Sequence, residues 1–140
     1  MRWERGFTLI ELLVVIAVLG LLAGLVGPRI VGHVSEAKST SARTQIDLLG
    51  VALDSYRLDN GSYPTTEQGL AALRDRPPRE PVPTNWKGPY LRKAVPQDPW
   101  GRPYIYRVQP SQGASAFELH SLGRDGKPGG EGEDKDLSGS

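Results

Sequence analysis

The sequence predicts an α+β fold, one long N-terminal helix packed on a small antiparallel sheet. Three observations carry this. An uncharged apolar run extends from Leu12 to Pro28, and a stripe with helical spacing follows from Ile30 to Tyr56. Two short segments with strand character, Pro103 to Val108 and Ala116 to Leu122, lie in the second half. The length of 140 residues supports one modest domain and excludes a large multidomain enzyme. With no Cys there is no disulfide framework, thiolate nucleophile or cysteine-ligated metal. A net charge of +1 gives no general attraction to nucleic acid or acidic lipid.

At ~1.5 Å per residue the run Leu12 to Pro28 makes about 26 Å of helix, and Phe7 to Pro28 about 33 Å, against a bilayer core of about 30 Å. Leu, Val, Ile, Ala and Gly leave no polar stripe, so the helix is lipid-compatible on every side. Hydropathy alone leaves two readings open. One is a removable signal peptide, with Arg2 and Arg5 as its basic start and Ala23-Gly24 as its cleavage site. The other is a retained membrane helix, and Glu11 favours it. A carboxylate in such a helix costs roughly 2.5 to 3.5 kcal/mol at the centre and less near an end, a cost that a disposable segment has no reason to carry. A cut after Gly6 exposes an amino group at Phe7, four residues ahead of Glu11 and on the same helix face. On the same or a neighbouring subunit, that amine is the cationic partner a buried carboxylate needs. Pro28 is expected to relax or kink the helix.

Beyond Arg29, residues Ile30, Val34, Ala37, Ser41, Gln45, Leu48, Ala52 and Tyr56 step by four or three, with Leu49 and Leu53 widening the stripe. This is the core face of an amphipathic helix. Asp59-Asn60-Gly61 supplies the stop, so the helix is expected from about Phe7 to about Leu58. Thr65 and Gln68, at capping-box spacing ahead of Leu70, Ala71 and Leu73, predict a second short helix that Pro77-Pro78 ends. From Arg74 to Pro103 many prolines accompany Trp86, Tyr90 and Trp100, which predicts a loop pinned to the body. The two strands follow, joined by a turn around Ser111 to Gly113.

The string Gly6-Phe7-Thr8-Leu9-Ile10-Glu11-Leu12 resembles the N-terminal signature of type IV pilins and pseudopilins. The resemblance implies that a prepilin peptidase cuts after Gly6 and methylates Phe7, and that Glu11 assists assembly into a filament. It implies a leader over residues 1–6, a transmembrane and assembly helix over 7–29 in the bacterial inner membrane, and a periplasmic domain over 30–140. Later strings narrow it: Asn60 to Leu70, Trp86-Lys87-Gly88-Pro89-Tyr90-Leu91, Asp98 to Tyr104 and Ser121-Leu122-Gly123-Arg124-Asp125-Gly126 resemble the major pseudopilins of type II secretion systems. The missing Cys agrees, since many type IV pilins close their C-terminal region with a disulfide. The implied role is the main structural subunit of a periplasmic filament that helps export folded proteins across the outer membrane. Its implied partners are further copies of itself, minor pseudopilins, the prepilin peptidase and an inner-membrane assembly platform. A pilus subunit for adhesion, motility or DNA uptake is the alternative; it would share the N-terminus but is not expected to share the later strings.

Asp125, Glu131, Glu133, Asp134 and Asp136 are interspersed with glycines near the C-terminus. Hard oxygen ligands on a flexible backbone suit calcium. The spacing is not that of an EF-hand, and Gly129 to Asp134 matches one copy of a calcium-binding repeat that requires stacked copies. Composition by itself favours a solvated, frayed tail. The resemblance implies a calcium loop, with Asp125 as a ligand, Leu122 giving its carbonyl, and Asp134 or Asp136 closing the loop. Lys135 stands where the family often has a small or acidic residue, and the chain lacks the Trp that commonly follows.

No enzymatic activity is expected. His33 and His120 are the only histidines, with structural roles, and neither a phosphate loop nor a metalloprotease helix motif is present. Trp86-Lys87 with Arg92-Lys93 suggests a basic aromatic patch, but a pinned loop accounts for the same residues, and no nucleic-acid partner is expected.

Overall fold

The computed structural model of the chain describes residues 6–109 and 116–139, with the side chains of residues 27–31 outside that description, as is the turn expected around Ser111 to Gly113. The chain divides into two compact units, residues 1–36 and 37–140. Helix α1 (Leu9–Asn60) contributes to both.

In the first unit, α1 carries the apolar stretch Leu9–Val26, of mean hydropathy 2.9, with none of it buried. Leu9, Leu21 and Leu25 are 82%, 77% and 71% exposed. A helix apolar all round has no wet face, so this stretch is stable only where lipid or other apolar helices surround it. The helix continues through Pro28.

In the second unit the buried face of α1 is Ala42, Ile46, Leu49, Ala52, Leu53 and Tyr56. Leu49, Ala52, Leu53 and Tyr56 of the stripe read from the sequence are buried as expected, whereas Ala42 and Ile46, one residue on from Ser41 and Gln45, were missed. Ser41 and Leu48 face outward, Leu48 at 62% exposure, while Leu49 and Leu53 form the centre of the contact. Both pairs keep a spacing of four, and only the residues packed against the helix choose between them. The helix ends as expected: Gly61, at φ +82°, donates its N–H to Arg57 O at 2.7 Å.

The expected second helix forms only in part. Its capping box is present, with Gln68 N–H on Thr65 Oγ1 at 3.1 Å and Thr65 N–H on Gln68 Oε1 at 3.0 Å. It closes one turn, after which Gly69 at φ +61° breaks the helical path, and Leu70–Leu73 continue as a 3₁₀ turn. Leu70, Ala72 and Leu73 enter the core.

The Arg74 to Pro103 segment is pinned as expected. Trp86 Nε1 donates to Ala72 O at 3.0 Å, Tyr90 N–H to Leu73 O at 2.8 Å and Tyr90 Oη to Asp59 Oδ2 at 2.9 Å. The Tyr90 ring stands edge-on to both Tyr56 and Trp86. The aromatic faces near Lys87 are thus engaged in packing.

The strands are β1 (Ile105–Gln109), β2 (Ala116–Ser121) and β3 (Leu137–Ser138), antiparallel in the order β1-β2-β3. Tyr106 pairs with Leu119 and both are buried. Ser121 pairs with Leu137. The sequence reading missed β3, since two residues are too few for a period of two to show.

Candidate functional site

Two regions hold the residues singled out above. At the N-terminus, α1 starts at Leu9, so Gly6 and Phe7 precede the helix and Thr8 is its cap. Glu11 N–H donates to Thr8 Oγ1, while Glu11 Oε2 accepts from Thr8 N–H and Thr8 Oγ1, each at 3.3 Å. This is a reciprocal capping box, and it draws the Glu11 carboxylate to the positive end of the helix dipole. Phe7 lies outside the helix rather than on a shared face with Glu11, because the first turn is closed by Thr8. The bond between Gly6 and Phe7 lies in exposed chain ahead of the helix.

The C-terminal region is built on a buried carboxylate. Asp98 is 4% exposed and Ser121 fully buried, and Ser121 Oγ donates to Asp98 Oδ2 at 2.6 Å. Asp98 Oδ1 accepts the N–H groups of Trp100 at 3.1 Å and Arg102 at 2.8 Å, an Asx-type turn. The turn aims the Arg102 side chain at the chain leaving β2, where Nη1 donates to Gly123 O at 2.8 Å and Arg124 O at 2.5 Å. Sequence reasoning gave Asp98, Arg102 and Ser121 no role. An Asp two residues before Trp100-Gly101 was the available signal for the turn; its link to Ser121 had none.

Beyond this anchor the four expected metal ligands are differently engaged. Leu122 is half-buried just after β2. Asp125 Oδ1 accepts the Lys127 N–H at 3.0 Å. Asp136 Oδ2 accepts the Gly129 N–H at 2.9 Å, while its Oδ1 is buried with no hydrogen-bond partner. Asp134 is clasped by Arg124, Nε on Oδ1 at 2.9 Å and Nη2 on Oδ2 at 3.0 Å, with Arg124 Nη1 on Glu133 Oε2 at 3.0 Å. These bonds, Asp134 foremost, raise the guanidinium's pKa above its ordinary value.

The donors fit a hard cation in kind: an orphaned carboxylate oxygen on Asp136, a second carboxylate on Asp125 and the peptide carbonyl of Leu122. They are not gathered, for among the described residues no three acidic or histidine side chains converge on one point. Asp134 in particular serves Arg124.

Two family models match successive stretches of the chain. A family model described as "Type II secretion system (T2SS), protein G" matches residues 29–140, and one described as "Prokaryotic N-terminal methylation motif" matches residues 2–27. The chain is 48% identical over 137 residues to the type II secretion system core protein G of Pseudomonas aeruginosa, covering 97% of this chain and 94% of that one. It is 44% identical over 138 residues to the Vibrio cholerae core protein G, covering 98% and 92%. Among solved structures it resembles the major pseudopilin from the type 2 secretion system of enterohaemorrhagic Escherichia coli. The TM-score is 0.64 at 38% identity, over 79% of this chain and 93% of that chain.

Proposed function

This chain belongs to the type II secretion system protein G family, and from that premise we propose how its parts serve a secretion filament. It is a major pseudopilin, a structural subunit that polymerises into the pseudopilus. The observation that carries this is the family match over residues 29–140, which a pilus subunit sharing only the N-terminal motif would lack.

In this reading a prepilin peptidase removes residues 1–6 and methylates the Phe7 amine. The apolar stretch of α1 anchors the subunit in the inner membrane, then becomes the filament core. Glu11 sets the register of stacked helices, and the second unit lies in the periplasm, meeting further copies, minor pseudopilins and the assembly platform. The role is structural rather than catalytic. The exposure of Leu9–Val26 supports the anchor, because that surface otherwise faces water.

Calcium belongs to the same proposal. Asp136, Asp125 and the Leu122 carbonyl would hold the ion, with Asp134 joining on release from Arg124. The ion would neutralise the carboxylates and pin the loop to the sheet. A melting temperature unchanged by calcium, by a chelator and by Asp125→Ala would sink this part.

The experiment for the whole reading is deletion of the gene in its host. Exported proteins held in the periplasm, with surface pili and DNA uptake retained, are expected. Normal secretion with loss of pili or uptake would overturn it.

A further inference from the structure

We propose that Arg124 is the resident cation of the C-terminal loop: its guanidinium holds the two arms together, and calcium gains Asp134 only by displacing it. The second half rests on the calcium reading above; the first half does not.

The loop leaves β2 after Ser121 and returns at β3 with Leu137. Its outgoing arm is fixed to the body through the Asp98–Ser121 bond and through Arg102 on the Gly123 and Arg124 carbonyls. The returning arm carries Glu133, Asp134 and Asp136, whose like charges oppose its own closure. Arg124 stands on the fixed arm and reaches the carboxylates of the returning one. Its N–H donates to Glu133 O at 2.8 Å, and its guanidinium makes the three side-chain bonds to Asp134 and Glu133.

The geometry is bidentate, with one N–H on each oxygen of Asp134, the arrangement in which an arginine holds a carboxylate in direction as well as by charge. The arms are in close register besides. A Cβ at Gly123, which sits at φ +66°, would lie 2.7 Å from Glu133 O and 2.8 Å from Lys135 O. The guanidinium is 58% exposed, but it bridges backbones that already lie against each other, and that fixed, bidentate geometry is what separates it from a flexible surface pair, which contributes little. No chelator removes such a cation, and arginine stays charged at every working pH.

Both oxygens of Asp134 are occupied in this state. An ion that takes Asp134 must open the fork and leave the Arg124 charge beside its own. Arginine and calcium are thus alternative closures of one loop, and the loop is ordered in either.

The test uses the full chain in detergent micelles, with hydrogen exchange of the amides of Arg124, Lys135 and Asp136 followed in chelator and in calcium. Each of these amides donates within the loop. In chelator the wild type is expected to be protected, and Arg124→Ala to exchange about fivefold faster. Arg124→Lys, which keeps the charge and loses the fork, is expected to fall between. Calcium should restore protection to Arg124→Ala and bind it about tenfold more tightly than wild type by calorimetry. Wild-type exchange rates for Arg124→Ala in chelator, or an unprotected wild-type loop, would overturn the clasp. Equal calcium affinity in both chains would overturn the competition. Acceleration by Arg124→Ala with no calcium binding to any variant leaves the clasp standing and removes the calcium reading.

Discussion

Ser121 donates its hydroxyl to Asp98 at 2.6 Å, joining the end of β2 to a turn 23 residues earlier in the sequence. Asp98 also receives two backbone N–H groups, so three donors depend on one buried carboxylate. Asp98→Ala leaves them unpaired in a dry site and is expected to destabilise the second unit by about 2 to 4 kcal/mol. Chemical denaturation followed by tryptophan fluorescence measures it. A loss under about 0.5 kcal/mol, the ordinary surface value, would show that the carboxylate is replaceable.

The face that α1 buries is decided by comparing two leucines. Leu53 is fully buried and Leu48 is 62% exposed. Leu53→Ala is expected to cost about 2 to 5 kcal/mol, and Leu48→Ala in the unassembled chain no more than about 0.5 kcal/mol. Equal losses would mean that the helix is rotated from the orientation described.

The cap that Glu11 makes with Thr8 and the intersubunit role proposed for it separate by substitution. Glu11→Gln keeps an acceptor for Thr8 N–H and loses the charge, whereas Glu11→Ala loses both. Both variants should be cleaved normally, and both should give filaments in reduced yield. If Glu11→Gln assembles as wild type, capping and not charge is the contribution of this residue.

Alkaline pH tests the tyrosine core. Burial, reinforced by Asp98, pushes Tyr104 up to about 12, and burial also raises Tyr56, Tyr90 and Tyr106. Above pH 10 the unfolded chain releases these protons while the folded chain keeps them, so the folded state binds more protons and stability falls as pH rises. The contribution of these tyrosines should be constant below pH 10 and stability should decline toward pH 12, with a shallower decline in Tyr104→Phe. A melting temperature flat to pH 12 would exclude buried neutral phenols.

The apolar anchor, the strings that mark the family, the helix stop at Gly61 and the Thr65–Gln68 capping box were all legible in the order of residues. Each is local, since hydropathy over one window or a pair three or four residues apart is enough to specify it. The same locality limited the reading. It predicted a helix after Thr65, where Gly69 allows only a turn and a short 3₁₀ segment.

Tertiary structure decided what depends on residues distant in sequence. Ser41-Gln45 and Ala42-Ile46 have the same spacing ahead of the shared Leu49, Ala52, Leu53 and Tyr56, and the core formed with the sheet and the 70–73 turn chose the second pair. Strand β3 exists only as an edge to β2, and Asp98 meets Ser121 only through the tertiary arrangement that sets the end of β2 against the Asp98 turn. Arg124 could be counted as one charge from the sequence. That it holds Asp134 follows from two arms of a loop brought into register, because an ion pair needs a geometry that composition does not carry.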